Sequence, residues 1–526
     1  MTELLVQFNS VVGDVEGNRK RLQAMLLDAE PFDLALVPEL ALTGYPPRDL
    51  LEAGGFLERC LRELNELARE LEGCGAVILG APAPADRAPG LYNAAWLLEA
   101  GAARVVATKQ LLPAYDVFDE PRHFVPGQPM APVEVAGRRV GVTICEDLWL
   151  GQEVGEEGRY AAAPASDLAA DCDLLVNLSA SPYRRGRPAE RVEQAAALAR
   201  RTGVPVAVVN AVGGQDELVF DGHSFWTDGL DHRSLPGFAE CVATAAAAAE
   251  GVDGLEQDRQ ALVLGLRDYV TKCGARRVVL GLSGGVDSAL VAALAVDALG
   301  ADAVLGIAMP SRYSSERSLR DARLLASQLG IELRVIPIEE AHDQLRTLLG
   351  GAIDVSGLTD ENLQARLRGL MVMAASNAEG RFALATGNKS ELGVGYCTLY
   401  GDMCGALAPI GDLFKLDVFE LARRDLRIPR SIVEAPPSAE LRPDQRDDDS
   451  LPPYERLDPL LNALIVERTH PERLVAMGFD ADEVAQVVQL VDRSEFKRRQ
   501  AAPVLRVSAK AFGMGRRQPL AWRRGY

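Results

Sequence analysis

No two cysteines in this chain stand as a CxxC pair, and the eight present are scattered singly, so neither a disulfide framework nor a zinc site is suggested. No apolar stretch is long enough to span a bilayer. The first thirty residues carry no basic segment leading into an apolar run, so no secretory signal is expected and the cytoplasm is the default compartment. Basic charge is also in deficit. The formal net charge is −19, which argues against a nucleic-acid coat or an anionic membrane as partner. Phosphate ligands must then be held locally, by groups such as backbone N–H. The pairs at Lys497-Arg498-Arg499, Arg516-Arg517 and Arg523-Arg524 read as a solvated basic end. The Walker pattern GxxxxGK[ST] is absent, as is GxGxxG at the nucleotide loop described below.

The chain has 526 residues, 48% apolar and 25% charged, too long for one core and composed like a soluble globular protein. Its first part alternates β-rich runs with amphipathic ones. The pattern predicts strands over 4–8, 34–38, 76–81, 104–108, 139–145, 174–178 and 206–210, and helices over 17–29, 56–71 and 189–202. A hairpin at Ala136-Gly137 implies mixed sheets. Glycines bracketing the run 245–249 suggest a linker, then a helix from about 255 to 273. Residues 276–430 predict a doubly wound parallel sheet: strand 278–282, helix 286–299, strand 303–309, helix 316–329, strand 332–338. The remainder holds Pro-rich and acidic stretches such as Asp447-Asp448-Asp449, then helices.

The most informative segment is Gly281-Leu282-Ser283-Gly284-Gly285-Val286-Asp287-Ser288. A strand runs into Ser-Gly-Gly and a helix begins at once. Glycines allow close backbone approach, and the first N–H groups of the helix, with its dipole, make an anion site. Ser283 and Ser288 add hydroxyl donors. Asp287 makes sense there if Mg²⁺ is shared with phosphate oxygens. The alternative is a tight turn with capping side chains.

Three other segments carry reactive groups at strand ends. Glu39 follows the second predicted strand in Pro38-Glu39-Leu40-Ala41-Leu42-Thr43-Gly44-Tyr45. Lys109 follows strand 104–108. Cys145 ends strand 139–145 and precedes Glu146-Asp147. Amide hydrolysis by cysteine needs a nucleophile, a base and an oxyanion donor, which Cys145, Glu39 and Lys109 supply in that order; Lys109 also favours the thiolate. A Cys-His pair is the rival. The five histidines, His123, His223, His232, His342 and His470, lie in no signature that points at Cys145. Glu120 is either a second carboxylate of this site or a surface charge. Around Asn177-Leu178-Ser179-Ala180-Ser181, hydroxyls with Arg187 either hold an amino-acid substrate or cap the helix that follows.

The Glu-Lys-Cys set resembles the nitrilase, or carbon–nitrogen hydrolase, family. The Ser-Gly-Gly-x-Asp-Ser loop resembles the N-type ATP pyrophosphatases. Joined, they resemble the glutamine-dependent NAD synthetase family along nearly the whole chain. The match includes Gly213-Gly214-Gln215-Asp216-Glu217, Met309-Pro310-Ser311-Arg312, Asn362-Leu363-Gln364-Ala365-Arg366, Thr386-Gly387-Asn388-Lys389-Ser390-Glu391, Tyr400-Gly401-Asp402 and Pro437-Ser438-Ala439-Glu440-Leu441. The resemblance implies a nitrilase-like α-β-β-α sandwich over 1–236, a linker over 237–257, and a doubly wound ATP pyrophosphatase domain over 258–526. It implies the last step of NAD biosynthesis: deamido-NAD, ATP and glutamine give NAD, AMP, pyrophosphate and glutamate. It places Tyr115, Ser181 and Arg187 around glutamine, residues 281–288 and Thr386 on ATP, and Asn362, Glu391, Tyr396, Cys397, Thr398, Leu399 and Lys497 around deamido-NAD. Mg²⁺ would be held by Asp287 and Glu391. A homo-oligomer, at least a dimer, is implied. One departure stands out: the family's Leu-Pro-Asn-Tyr reads Leu-Pro-Ala-Tyr here, with Ala114. Two rival readings remain, another amidotransferase built on the same loop, or an ammonia-only synthetase with a degenerate amidase half.

Overall fold

The computed structural model describes residues 1–149, 162–244, 253–443 and 445–522. The chain divides into two compact units, Met1–Asp253 and Gly254–Tyr526.

The strands of the first unit are β1 (Glu3–Gln7), β2 (Leu34–Leu36), β3 (Ala76–Pro84), β4 (Leu91–Glu99), β5 (Ala102–Thr108), β6 (Val133–Val135), β7 (Arg138–Ile144), β8 (Leu174–Ser179), β9 (Val206–Asn210), β10 (Val212–Gln215), β11 (Leu218–Asp221), β12 (Phe225–Thr227), β13 (His232–Ser234) and β14 (Cys241–Ala243). They form two six-stranded mixed sheets, ordered β14-β1-β2-β3-β4-β5 and β13-β12-β9-β8-β7-β6, with β10–β11 a separate ribbon. Strand alternation explains the layering. Leu34 and Leu36 pack with Val140, Val142, Ile144, Leu174 and Val176 between the sheets. Ala35 and Val37 point the other way, against Leu22, Leu26, Leu64 and Leu67 of the helices Val15–Leu27 and Phe56–Glu70. On the far side, Leu175, Val206 and Val208 meet Ala195, Leu198 and Ala199 of the helix Arg187–Thr202. The result is helix–sheet–sheet–helix. Each fully buried aliphatic side chain contributes roughly 1.5–3 kcal/mol of transfer free energy.

Local signals set the ends. Asp14 caps the first helix by accepting from Gly17 N–H, and Gly203 closes Arg187–Thr202 at φ +72°. The turn between β6 and β7 uses positive φ at Ala136 and Gly137, and the strands pair antiparallel as the sequence predicts.

The second unit is built on β15 (Val278–Gly281), β16 (Val304–Ala308), β17 (Glu332–Val335) and β18 (Phe382–Leu384), all parallel and ordered β17-β16-β15-β18. Strand order reverses between β15 and β18, a topological switch point where α/β sheets bind ligands. The helix Val286–Leu299 is buried on nearly every side from Val286 to Ala295. A helical cluster around Leu457, Leu461, Val487 and Val491 packs beside the sheet.

The span 237–257, expected as a linker, is structured at both ends. Cys241–Ala243 pairs antiparallel with β1 and closes the edge of the first sheet, and the helix Gly254–Lys272 starts inside the span. The Cys-Val-Ala triplet is too short, and too close to the alanine run that follows it, to stand out as a strand in the sequence. The alanine run at 245–249 lies outside the described residues, as do Arg523 and Arg524. No helix of the described residues is long and apolar enough to cross a membrane.

Candidate functional site

Glu39, Lys109 and Cys145 converge at one end of the sandwich although they come from different sheets. Glu39 follows β2 and Lys109 follows β5 of the first sheet; Cys145 ends β7 of the second. Glu39 and Lys109 are each 1% exposed and Cys145 7%. The Lys109 ammonium donates to Glu39 Oε1 at 2.8 Å and to Glu120 Oε1 at 2.7 Å. Glu39 is oriented from three sides, accepting also from Asn93 Nδ2 at 2.7 Å and from the Ala180 N–H at 2.9 Å. Tyr45 donates its hydroxyl to Glu120 at 2.8 Å. Glu120 is therefore a buried member of the cluster rather than a surface charge.

Charge here is balanced against burial. Desolvation opposes the Lys109 charge, but Glu120 and Glu39 more than offset it and hold the ammonium. Burial pushes Glu120 up to about 7, with Lys109 pulling down and Glu39 pushing further up. Burial, with Glu39 next, raises the Cys145 thiol well above its ordinary range; Lys109 pulls the other way and is outweighed. Lys109 thus acts in the direction the sequence predicts, towards the thiolate, but burial outweighs it. In the folded site Cys145 rests as the thiol, and its proton must leave as the sulfur attacks. The Cys145 backbone has φ +44°, an unusual value for a residue with a side chain, on the short turn Cys145–Leu148. Asn177 Nδ2 donates to the Cys145 carbonyl at 3.3 Å.

The residues expected around glutamine lie alongside. Tyr115 donates its hydroxyl to Glu146 Oε1 at 2.6 Å. Arg187 stacks on the Trp149 ring at 3.8 Å and reaches Ser181 Oγ at 3.4 Å. Burial, together with Arg191 and Arg184, pulls the Arg187 guanidinium down to about 10, so an added carboxylate would relieve it. Ala114 is exposed, which separates the sequence departure from Tyr115. His123 lies against Asp49 and Glu52, His223 against Asp221 and His342 against Asp360.

In the second unit the loop after β15 lines a cleft with Thr386, Glu391, Tyr396, Arg368 and Lys415. Gly284 has φ +81°, and a Cβ there would sit 2.3 Å from the Ser318 carbonyl oxygen, so only glycine fits. Ser283 Oγ and Ser288 Oγ stand 3.1 Å apart, and Ser283 Oγ accepts from Gly285 N–H at 3.1 Å. The helix begins at Val286 with no side-chain cap on its first N–H groups. Asp287 Oδ1 accepts from Asn388 Nδ2 at 2.8 Å and Oδ2 accepts from Lys415 Nζ, which is also 3.6 Å from Glu391 Oε1. Burial, with Asp287 next, pushes Glu391 up to about 8 despite Lys415. Negative charge thus exceeds what one ammonium offsets, and each carboxylate oxygen keeps a second lone pair. These hard oxygen donors beside a phosphate loop fit Mg²⁺.

The remaining expected residues separate. Glu391 and Tyr396 line the cleft. Thr398 Oγ1 donates to Asn362 Oδ1 at 2.7 Å, and Thr398 N–H to Asp402 at 2.6 Å. Cys397 and Leu399 pack against the helical cluster. Lys497 is not a solvated end: it donates to the carbonyls of Gly395 and Cys397 at 2.8 and 2.7 Å, holding the Tyr396–Leu399 stretch. Arg498, expected as solvated too, is 7% exposed and donates to the carbonyls of Leu392 and Gly393. Lys389, fully buried in the same Thr-Gly-Asn-Lys-Ser-Glu motif, donates to Asp412 Oδ1, Ser508 Oγ and the Lys510 carbonyl at 2.7, 2.7 and 2.8 Å. The sequence reading did not single out Asn93 or Lys415, which stand in no motif, or give Tyr45 and Asp402 a role, although both lie in segments it quoted.

Residues 5–230 match the Carbon-nitrogen hydrolase family and residues 259–501 the NAD synthase family. Fold and sites together define a carbon–nitrogen hydrolase joined to an NAD synthase. The chain is 44% identical over 550 residues to the glutamine-dependent NAD(+) synthetase of Synechocystis sp., covering 99% of this chain and 98% of that one. It is 39% identical over 577 residues to that of Thermotoga maritima, covering 98% and 97%. The solved glutamine-dependent NAD+ synthetase of Acinetobacter baumannii, in complex with adenosine diphosphate, matches with a TM-score of 0.76 at 34% identity, over 99% of this chain and 98% of that one. The enzyme of Cytophaga hutchinsonii, at 22% identity and TM-score 0.81 over 98% and 97%, shares the fold. The chain belongs to the glutamine-dependent NAD(+) synthetase family.

Proposed function

We propose that this chain amidates deamido-NAD to NAD, using ATP for activation and ammonia released from glutamine. The observation that carries the reading is the buried Glu39–Lys109–Glu120 network beside Cys145 in one unit, with a phosphate loop and its paired carboxylates in the other.

In the first unit, Cys145 Sγ attacks the glutamine carboxamide carbon as Glu39 takes the thiol proton. Lys109 stabilises the tetrahedral oxyanion. Glu39 returns the proton to the departing ammonia, then activates water against the thioester, and glutamate leaves. Arg187, Ser181 and Tyr115 hold the amino-acid end. In the second unit, the deamido-NAD carboxylate attacks the α-phosphorus of ATP, and pyrophosphate departs against the N–H groups at residues 283–288 with Thr386. Ammonia then attacks the acyl-adenylate and AMP leaves. Asp287 and Glu391 would hold Mg²⁺, which when bound offsets charge on the pyrophosphate. Lys415, hydrogen-bonded to Asp287 and 3.6 Å from Glu391 Oε1, holds the two side chains together. Asn362, Glu391, Tyr396–Leu399 and Lys497 form the deamido-NAD side, Lys497 by fixing the backbone of that stretch.

On this reading residues 1–236 are the amidase and 258–526 the synthetase, in a homo-oligomer of at least two copies, as the resemblance implies. A cytoplasmic location is supported by cysteines scattered singly along the sequence with no CxxC pair. The complete amidase network disfavours an ammonia-only enzyme. The deciding experiment supplies deamido-NAD, ATP and Mg²⁺ with either glutamine or ammonium. NAD, AMP and pyrophosphate should form with both. ADP and phosphate as products, or amidation of xanthosine monophosphate or aspartate instead, would reject the reading.

A further inference from the structure

The relative position of Lys109 and Cys145 must be fixed to a fraction of an ångström, yet they hang from strand ends in different sheets. Packing between sheets sets a distance but does not lock the last residues of a strand. Hydrogen bonds across the gap do. The side chain that makes them is Asp147, two residues beyond Cys145 and 2% exposed.

Its carboxylate takes backbone N–H groups from both sides. Oδ1 accepts from Gln110 N–H at 3.0 Å and from Leu111 N–H at 2.9 Å, the two residues directly after Lys109. Oδ2 accepts from Ile144 N–H at 3.4 Å, the residue directly before Cys145. Among the described residues its side-chain hydrogen bonds all come from main-chain N–H groups, so the side chain holds backbone to backbone. The second hold on the turn is Asn177, on the Cys145 carbonyl. Cys145 needs such holds, because its left-handed φ costs about 1–2 kcal/mol and persists only where surroundings enforce it. A neutral amide of similar shape serves less well, because its NH2 group cannot accept from the Ile144 N–H as Oδ2 does.

We propose that Asp147 is a positioning residue for the amidase: it bolts the strand end carrying Lys109 to the turn carrying Cys145. It acts through these two residues and does not touch glutamine. The inference rests on the amidase reading of Cys145, and the two fail differently.

The test measures glutaminase kcat and KM, and ammonium-dependent NAD synthesis, in full-length D147A, D147N and C145A. Asn keeps one carbonyl oxygen for Gln110 and Leu111 but presents an NH2 group to the Ile144 N–H, so it should fall between the parent and D147A. The expected result is a drop of about 100-fold in glutaminase kcat for D147A, the scale of a 1 Å misplacement. The KM for glutamine should stay within about threefold, since uniform binding is untouched. Ammonium-dependent synthesis reports that the second unit is folded, and an unchanged KM for glutamine reports that the first is. A D147A enzyme with parental kcat overturns the proposal. So does a loss expressed as raised KM, which would put Asp147 in substrate binding, or a parallel loss of both activities, which would make it a general fold residue. Glutamine hydrolysis by C145A would instead overturn the amidase reading itself.

Discussion

The Lys109 ammonium and the Glu39 carboxylate meet at 2.8 Å, and each residue is 1% exposed. A pair so deeply buried is not there for stability, because desolvation consumes most of its Coulomb attraction. Its position beside Cys145 gives it a chemical task. Cys145→Ala, Glu39→Gln and Lys109→Ala should each remove glutamine-dependent NAD formation, by at least about 1,000-fold, since such groups act as a unit. Synthesis from high ammonium should persist. Coupled assays with the two nitrogen donors check this, and normal glutamine-dependent turnover by C145A would remove the nucleophile from the scheme.

Glu120 gives a pH signature. Burial raises its pKa from the ordinary 4.5 to about 7, so the folded state favours the protonated carboxyl. Its contribution to stability is then complete below pH about 4.5 and is lost as pH rises through about 7. Glu120→Gln deletes the titration. Relative to E120Q, the parent should lose on the order of 1 kcal/mol or more between pH 5 and pH 8. Urea midpoints of both proteins at the two pH values measure it; a parallel pH response would show that Glu120 titrates as it does in the unfolded chain.

At Gly284, a methyl group would need the space of the Ser318 carbonyl and would have to adopt φ +81°. Gly284→Ala should lower ATP–pyrophosphate exchange in the presence of deamido-NAD by about 10-fold or more, equivalent to at least about 1.4 kcal/mol. NAD formation should fall with both donors. Exchange at the parental rate would mean that the loop does not cradle phosphate.

Lys415 is 3% exposed at its side chain and faces both Asp287 and Glu391. Lys415→Met removes the buried ammonium that the partly buried Asp287 and Glu391 carboxylates share. It should destabilise the second unit by about 3 kcal/mol, the scale of breaking a buried pair from one side. K415M/E391Q should recover part of that loss. Urea unfolding of the single and double variants gives the coupling directly, and strict additivity would refute it.

What was legible in the sequence was local. Glu39, Lys109 and Cys145 announce themselves because each lies in a short motif at the end of a strand, and the Ser283–Ser288 loop because strand, glycines and helix follow without interruption. The predicted βαβ order also holds, since its hydrophobic periods are strong. What was not legible is partnership over long separations. Nothing near Lys415 points to Asp287, 128 residues earlier. Nothing near Asn93 points to Glu39. Lys497 and Arg498 look like a solvated basic end in composition and turn out to be donors to backbone carbonyls. The protonation of Cys145 is hidden for a related reason: the sequence shows which charges exist, while burial, which outweighs Lys109, is a property of the fold.

The Lys389 ammonium gathers Asp412, Ser508 and the Lys510 carbonyl in the interior, and Lys510 lies 121 residues further along the chain. Two of its three acceptors thus lie more than a hundred residues away in sequence. A buried ammonium stripped of its partners is costly, so the helix Lys389–Val394, which carries Glu391 into the nucleotide cleft, keeps its place only while that distant segment is docked.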